Sequence, residues 1–175
     1  MAEHCAHCAA ELPRQVCLNQ GCPERLSVTA PQKPTLVVYI AGRFRGPTPW
    51  DVEKNIRAAE EVAFQVWSLS TQLTGGYVAA LCPHMNCRHW DKTLSDDIWL
   101  AGGLALLSAC DAVVLVPGWE SSKGTVAEVG LARKSGLPVF YSWVPVFYSW
   151  DQPEKGLADW AAFVVWARRE IDQRR

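Results

Sequence analysis

The sequence predicts an α/β fold: a mainly parallel sheet of about four to five strands between two helix layers, with a short cysteine-rich segment ahead of it. Three observations carry this. From Thr35 onward, short apolar runs alternate with stretches of helical period. The runs are continuous, as expected of strands buried on both faces. Apolar residues make up 49% of the 175, enough for one sizeable core.

Residues 1–30 form the extension. Cys5-Ala6-His7-Cys8 and Cys17–Cys22 are two close cysteine pairs separated by eight residues. Two knuckles so spaced can wrap one tetrahedral zinc ion, and the metal would supply folding energy that so short a segment lacks. Cys5, Cys8, Cys17 and Cys22 complete the shell, so the expected zinc is structural, with His4 and His7 as spare ligands. The competing reading is a tail with reduced thiols. Ser27–Pro34 reads as a linker, which puts the α/β domain at 31–175.

Leu36–Ile40 is the first strand and Ala41–Pro47 a Gly/Arg loop. Thr48-Pro49-Trp50-Asp51 opens a helix: Thr as N-cap, Pro at the first position, a carboxylate at the third. Val52, Ile56, Ala59, Ala63 and Val66 continue it at helical spacing, and Gly75-Gly76 ends it. Tyr77–Leu81 is a second strand, Ile98–Ala109 a second helix, and Ala112–Val116 a third strand. Ser122–Ser135 is a third helix with Gly136 as its stop. Val139–Trp143 and Gly156–Arg168 are the last strand and helix. This order fits a three-layer Rossmann- or flavodoxin-like sandwich. Pro138–Trp143 and Pro145–Trp150 both read Pro-Val-Phe-Tyr-Ser-Trp, a repeat too short for a solenoid that suits an extra edge strand or hairpin.

The formal net charge of −1 provides no field for nucleic acid or anionic lipid, so neither is expected as a partner. The polar N-terminus carries no secretory signal, and no apolar run is long enough to span a bilayer. A cytoplasmic protein with thiols or metal in place of disulfides is expected.

Ligands of parallel sheets bind at the carboxyl ends of the strands. The loop after the first strand offers glycines with Arg43 and Arg45, suited to an anion. It is neither a Walker loop nor Gly-x-Gly-x-x-Gly, and ordinary surface arginines are the alternative. After the third strand comes Gly118-Trp119-Glu120-Ser121-Ser122-Lys123-Gly124-Thr125-Val126-Ala127-Glu128. Gly124 and Thr125 share a helix face with Glu128, and a small residue beside a carboxylate leaves room for a ligand. The helix amides suit an anion. A plain surface glutamate is the competing reading.

Tyr39-Ile40-Ala41-Gly42, Cys82-Pro83-His84-x-Asn86, Cys110-Asp111-Ala112-Val113-Val114 and Gly118-Trp119-x-Ser-Ser122-x-Gly124-Thr125-x-x-Glu128 resemble the nucleoside 2-deoxyribosyltransferase superfamily. Small bacterial and phage members are the most similar, and relatives include 2′-deoxynucleoside 5′-phosphate N-hydrolases. The resemblance spans about Leu36–Phe140. It implies that Glu128 is the nucleophile that attacks the anomeric carbon. It implies that Ser122 and Gly124 hold a 5′-phosphate or 5′-hydroxyl, and that Gly42, Arg43 and Arg45 lie in the loop that contacts sugar and phosphate. His84, Asn86 and Trp90 would shape the base pocket, with Gly118, Trp119 and Thr125 in the same substrate-binding set. An aspartate often sits eight residues before Asp111 in relatives, and here that residue is Gly103. Asp97, Asp96 or His84 would then protonate the leaving base, although His84 also suits a role in satisfying loop carbonyls. Asp111 is expected to be structural. The implied activity is cleavage or exchange of the N-glycosidic bond of a nucleoside or (deoxy)nucleoside 5′-monophosphate, hydrolysis favoured, with no cofactor in catalysis. A sensor or adaptor that keeps the pocket with weak catalysis is the alternative. A homodimer or larger assembly is expected.

Overall fold

A computed structural model of the chain describes residues 3–4, 11–12, 35–90, 92–142 and 153–175. The chain divides into two compact units, Met1–Gln32 and Lys33–Arg175. In the first, strands β1 (Glu3–His4) and β2 (Glu11–Leu12) pair antiparallel. The expected zinc ligands Cys5, Cys8, Cys17 and Cys22 lie outside the described residues, as does the second copy of the aromatic repeat. Among the described residues there is no cluster of metal-ligating side chains.

The second unit is α/β. Its strands are β3 (Thr35–Ala41), β4 (Tyr77–Leu81), β5 (Ala112–Leu115) and β6 (Val139–Tyr141). They form one four-stranded sheet in the order β4-β3-β5-β6, every pair parallel. Its helices are α1 (Pro49–Ser68), α2 (Pro83–Cys87), α3 (Asp96–Leu107), α4 (Lys123–Lys134) and α5 (Pro153–Gln173).

Local chemistry explains the helix ends. Asp51 N–H donates to Thr48 Oγ1 at 3.2 Å while Thr48 N–H donates to Asp51 Oδ2 at 3.1 Å, a reciprocal capping box ahead of Pro49. Ser122 Oγ accepts from Thr125 N–H at 3.2 Å and caps α4. Gly136, at φ +72°, takes the left-handed position that ends α4. Three elements differ from the sequence expectation. α2 is a short helix where a loop was expected, because Pro83 pre-sets its first turn. Arg88, just after it, donates to Glu60 at 2.6 Å and Glu53 at 2.7 Å and ties it to α1. α3 starts at Asp96, where two carboxylates complement the helix dipole. α5 continues beyond Arg168 because Ile171 is buried against the sheet and Arg174 then pairs with Asp111 at 2.6 Å.

Period-two alternation along β3 divides the core. Leu36, Val38 and Ile40 face α1 and α5, where Val62, Val66, Phe163 and Ala167 complete one layer. Tyr39 and Ala41 face the opposite side with Leu107, Val113, Leu115, Val129 and Ala132, under α3 and α4. Asp111 accepts from Val37 N–H at 2.7 Å, so it locks the start of β5 against β3. Trp67 on α1 is half exposed at 51%. None of the described helices is long and apolar enough to cross a membrane.

Candidate active site

The loops at the carboxyl ends of β3, β4 and β5 surround a cleft of about 350 Å³. Gly42 sits where the chain leaves β3. A Cβ there would lie 2.8 Å from the Val116 side chain, so only glycine allows this close approach. Its carbonyl accepts from Thr125 Oγ1 at 2.8 Å in a buried hydrogen bond. That bond fixes the first turn of α4 against the first loop.

One turn further along α4, Glu128 enters the cleft from the side that β3 alternation assigns to Tyr39. Tyr39 Oη donates to Glu128 Oε1 at 2.7 Å. The glutamate is half-buried on the cleft wall. Burial pushes its pKa up to about 7, with the Tyr39 hydrogen bond pulling the other way. Tyr39 itself is raised far above the ordinary phenol range, by burial first and then by the Glu128 charge. It therefore remains a proton donor to the carboxylate. Gly103 on α3 completes the hollow: a Cβ there would lie 3.0 Å from Tyr39 Oη and 3.4 Å from Glu128 Oε1. The position that carries an aspartate in the resemblance thus faces Glu128 directly and holds no acid here.

The remaining walls are aromatic and charged. Trp90 and Trp99 stack with ring centroids 6.4 Å apart and planes 21° apart, and both line the cleft. Phe44 lies 5.7 Å from the His84 ring on the other side. Arg45 reaches from the first loop to the start of α3, where its Nη2 donates to Asp96 Oδ1 at 2.5 Å. Asp97 and Lys123 also line the cleft.

His84 is buried, and its Nε2 lies 3.1 Å from the Arg43 carbonyl. A nitrogen that faces a carbonyl must carry the proton, so Nδ1 is an acceptor in the neutral ring. Burial lowers the His84 pKa, which keeps the ring neutral. Nδ1 has no hydrogen-bond partner among the described residues. These constraints suit an acceptor better than a proton donor.

Of the residues singled out in the sequence, Gly42, Arg45, His84, Trp90, Asp97, Ser122, Gly124, Thr125 and Glu128 line the cleft together. Four do not. Arg43 turns away, its Nε donating to the Arg45 carbonyl at 2.8 Å. Asn86 is exposed on α2. Gly118 holds a left-handed turn at φ +79°, and Trp119 packs into the core beside Tyr141.

Residues 36–141 match a family model described as a domain of unknown function, DUF4406, over more than half of the chain. The chain belongs to the DUF4406 family. No curated protein matches it. Two solved structures are similar to it. One is a 2-deoxyribosyltransferase from Bacillus psychrosaccharolyticus, at 17% identity and a TM-score of 0.42, covering 60% of this chain and 70% of that one. The other is a conserved protein from Enterococcus faecalis V583, at 17% identity and a TM-score of 0.47, covering 81% of this chain and 99% of that one.

Within the DUF4406 domain, several cleft residues had no separate signal in the sequence. Tyr39 belongs to the Tyr39–Gly42 motif, but as a strand residue; its alternation with Val38 and Ile40 is the available clue. Trp99 lies within a helix and Phe44 within the Gly/Arg loop, and neither residue type marks a site by spacing. Only the approach of α3 to the first loop reveals them as walls.

Proposed function

We propose that the DUF4406 domain cleaves the N-glycosidic bond of a nucleoside or (deoxy)nucleoside 5′-monophosphate, with hydrolysis favoured over transfer. The observation that carries this reading is the Glu128 carboxyl, half-buried on the wall of a cleft and held through Oε1 by Tyr39. That bond leaves Oε2 to attack the anomeric carbon. As the C–O bond forms, the C–N bond breaks and the base departs with a proton. Water then attacks the same carbon, Glu128 leaves as carboxylate, and the water's second proton passes to solvent. An oxocarbenium-like transition state favours a carboxylate at this place. The aromatic walls Trp90, Trp99 and Phe44 suit the flat faces of a base. Asp97 on the cleft wall is the carboxyl we assign to protonate the leaving base, supported by the pairing of its neighbour Asp96 with Arg45.

A panel of nucleosides and monophosphates, assayed for free base by chromatography, tests the reading. Base release by the wild type and its loss in Glu128→Ala is the expected result. No release from any substrate, or an active Glu128→Ala, removes it. A second reading is favoured by Gly103, which places no acid opposite Glu128. In it the domain is a nucleotide sensor. Calorimetry separates the two, since a sensor binds intact nucleotide and liberates no base.

Two further features belong to this proposal. The cysteine pairs of the first unit hold a structural zinc, supported by their spacing. The chain forms a homodimer or larger assembly, supported by exposed Phe64 and Trp67 one turn apart on α1. A monomeric mass in light scattering counts against the latter.

A further inference from the structure

We propose that Asp96 is a built-in competitor for the 5′-phosphate of the substrate, holding the Arg45 guanidinium that a phosphate must win. This rests on the reading of the cleft as a nucleoside site. Arg45 spans from the first loop to the N-terminus of α3, and its Nη2 meets Asp96 Oδ1 at 2.5 Å. Both residues line the cleft. Arg43, the other arginine of that loop, turns away. Of the charged groups on the walls, Arg45 and Lys123 are cations, while Asp96, Asp97 and Glu128 are carboxyls. A phosphate arriving at the first loop therefore finds its arginine already paired with a carboxylate.

The pair is easily exchanged. Arg45 and Asp96 side chains are 41% and 79% exposed, and ion pairs in water of this kind are weak. A phosphate, with more charge and more acceptor oxygens than one carboxylate, is able to displace Asp96. A neutral 5′-hydroxyl has no such demand and leaves the pair intact. Asp96 thus sets the balance between nucleoside and monophosphate: its charge works against the phosphorylated substrate and is indifferent to the hydroxyl. Because the pair is exposed, salt should weaken the effect.

Calorimetric titration with 2-deoxyribose 5-phosphate tests this independently of turnover, since the probe has no base to lose. Asp96→Asn should bind it about three- to fivefold more tightly than the wild type, with the gain reduced in 0.5 M salt. In an Arg45→Ala background the same Asp96→Asn change should have no effect. Unchanged or weaker affinity in Asp96→Asn, no binding by either protein, or an equal gain without Arg45 overturns the proposal. Asp96 is exposed, so loss of the fold is not expected, and far-ultraviolet circular dichroism checks it. Base release by the wild type is measured separately. Its absence strikes the proposed reaction, whereas an unmoved affinity strikes only the role of Asp96.

Discussion

On the α1/α5 side of the sheet, Phe163 lies 5.2 Å from Phe140 and 5.9 Å from Trp166, ring to ring, above fully buried Val38 and Ile40. On the α3/α4 side, the same strand presents Tyr39, whose hydroxyl meets a carboxyl beside a glycine hollow. Both faces begin with apolar packing near the centre. They diverge in what they carry: the first is packed with aromatics, and the second opens into the cleft. Alternate side chains of one strand can therefore serve stability and chemistry separately. The second face holds a group whose burial costs folding free energy, and the first provides packing that offsets it.

Five experiments test that contrast. The largest expected effect is on the open face. Glu128→Gln should lower base release by about 10⁴-fold or more while the protein remains folded, measured by single-turnover kinetics. A smaller loss would move the chemistry to another group.

Next comes the closed face. Phe163→Ala should cost about 3–5 kcal/mol in urea unfolding, from lost apolar contact and the cavity left behind. A cost under about 1 kcal/mol would mean that this face is not the principal core.

Glu128→Gln should have the opposite sign in stability. The Glu128 pKa is about 7 in the folded chain, against 4.5 as its ordinary value. The folded state thus binds the proton more tightly, and the carboxyl becomes destabilising as pH rises from 4.5 through about 7. Replacing it should stabilise the chain by up to roughly 3 kcal/mol above pH 8, and by nothing near pH 4. Thermal melts at both pH values read the difference; an equal gain at both would assign it to packing.

Tyr39→Phe gives a smaller change. Its hydrogen bond lowers the Glu128 pKa, so its loss should move the acidic limb of kcat/KM to higher pH than the wild type's limb near 7. An unmoved limb would detach Tyr39 from Glu128 ionisation.

The smallest effect on activity is expected from zinc. One zinc per chain should be found by elemental analysis and lost in Cys5→Ser/Cys17→Ser. Base release should change less than about twofold, because every described residue lining the cleft lies in the second unit.

Glu128, Gly42, Gly124 and the caps of α1 and α4 were legible in the sequence, because each depends on spacing within a few residues. Arg43 shows the limit of such reading. It sits in a loop rich in glycine and arginine, yet its direction follows from the Arg45 carbonyl and not from composition. α2 has a related cause: one proline starts it, but contacts of Arg88 with α1 hold it in place.

The amino-acid order by itself set the alternation of strands and helices, the carboxylate one turn inside α4, and the cysteine-rich first unit. Those follow from local periodicity, capping and turn chemistry. Tertiary structure alone decided that Tyr39 donates to Glu128 across 89 positions of chain, that Gly103 opens beside both, and that Asp96 holds Arg45. Such partners are chosen by where the sheet and helices bring their side chains, and no short stretch of sequence encodes that distance.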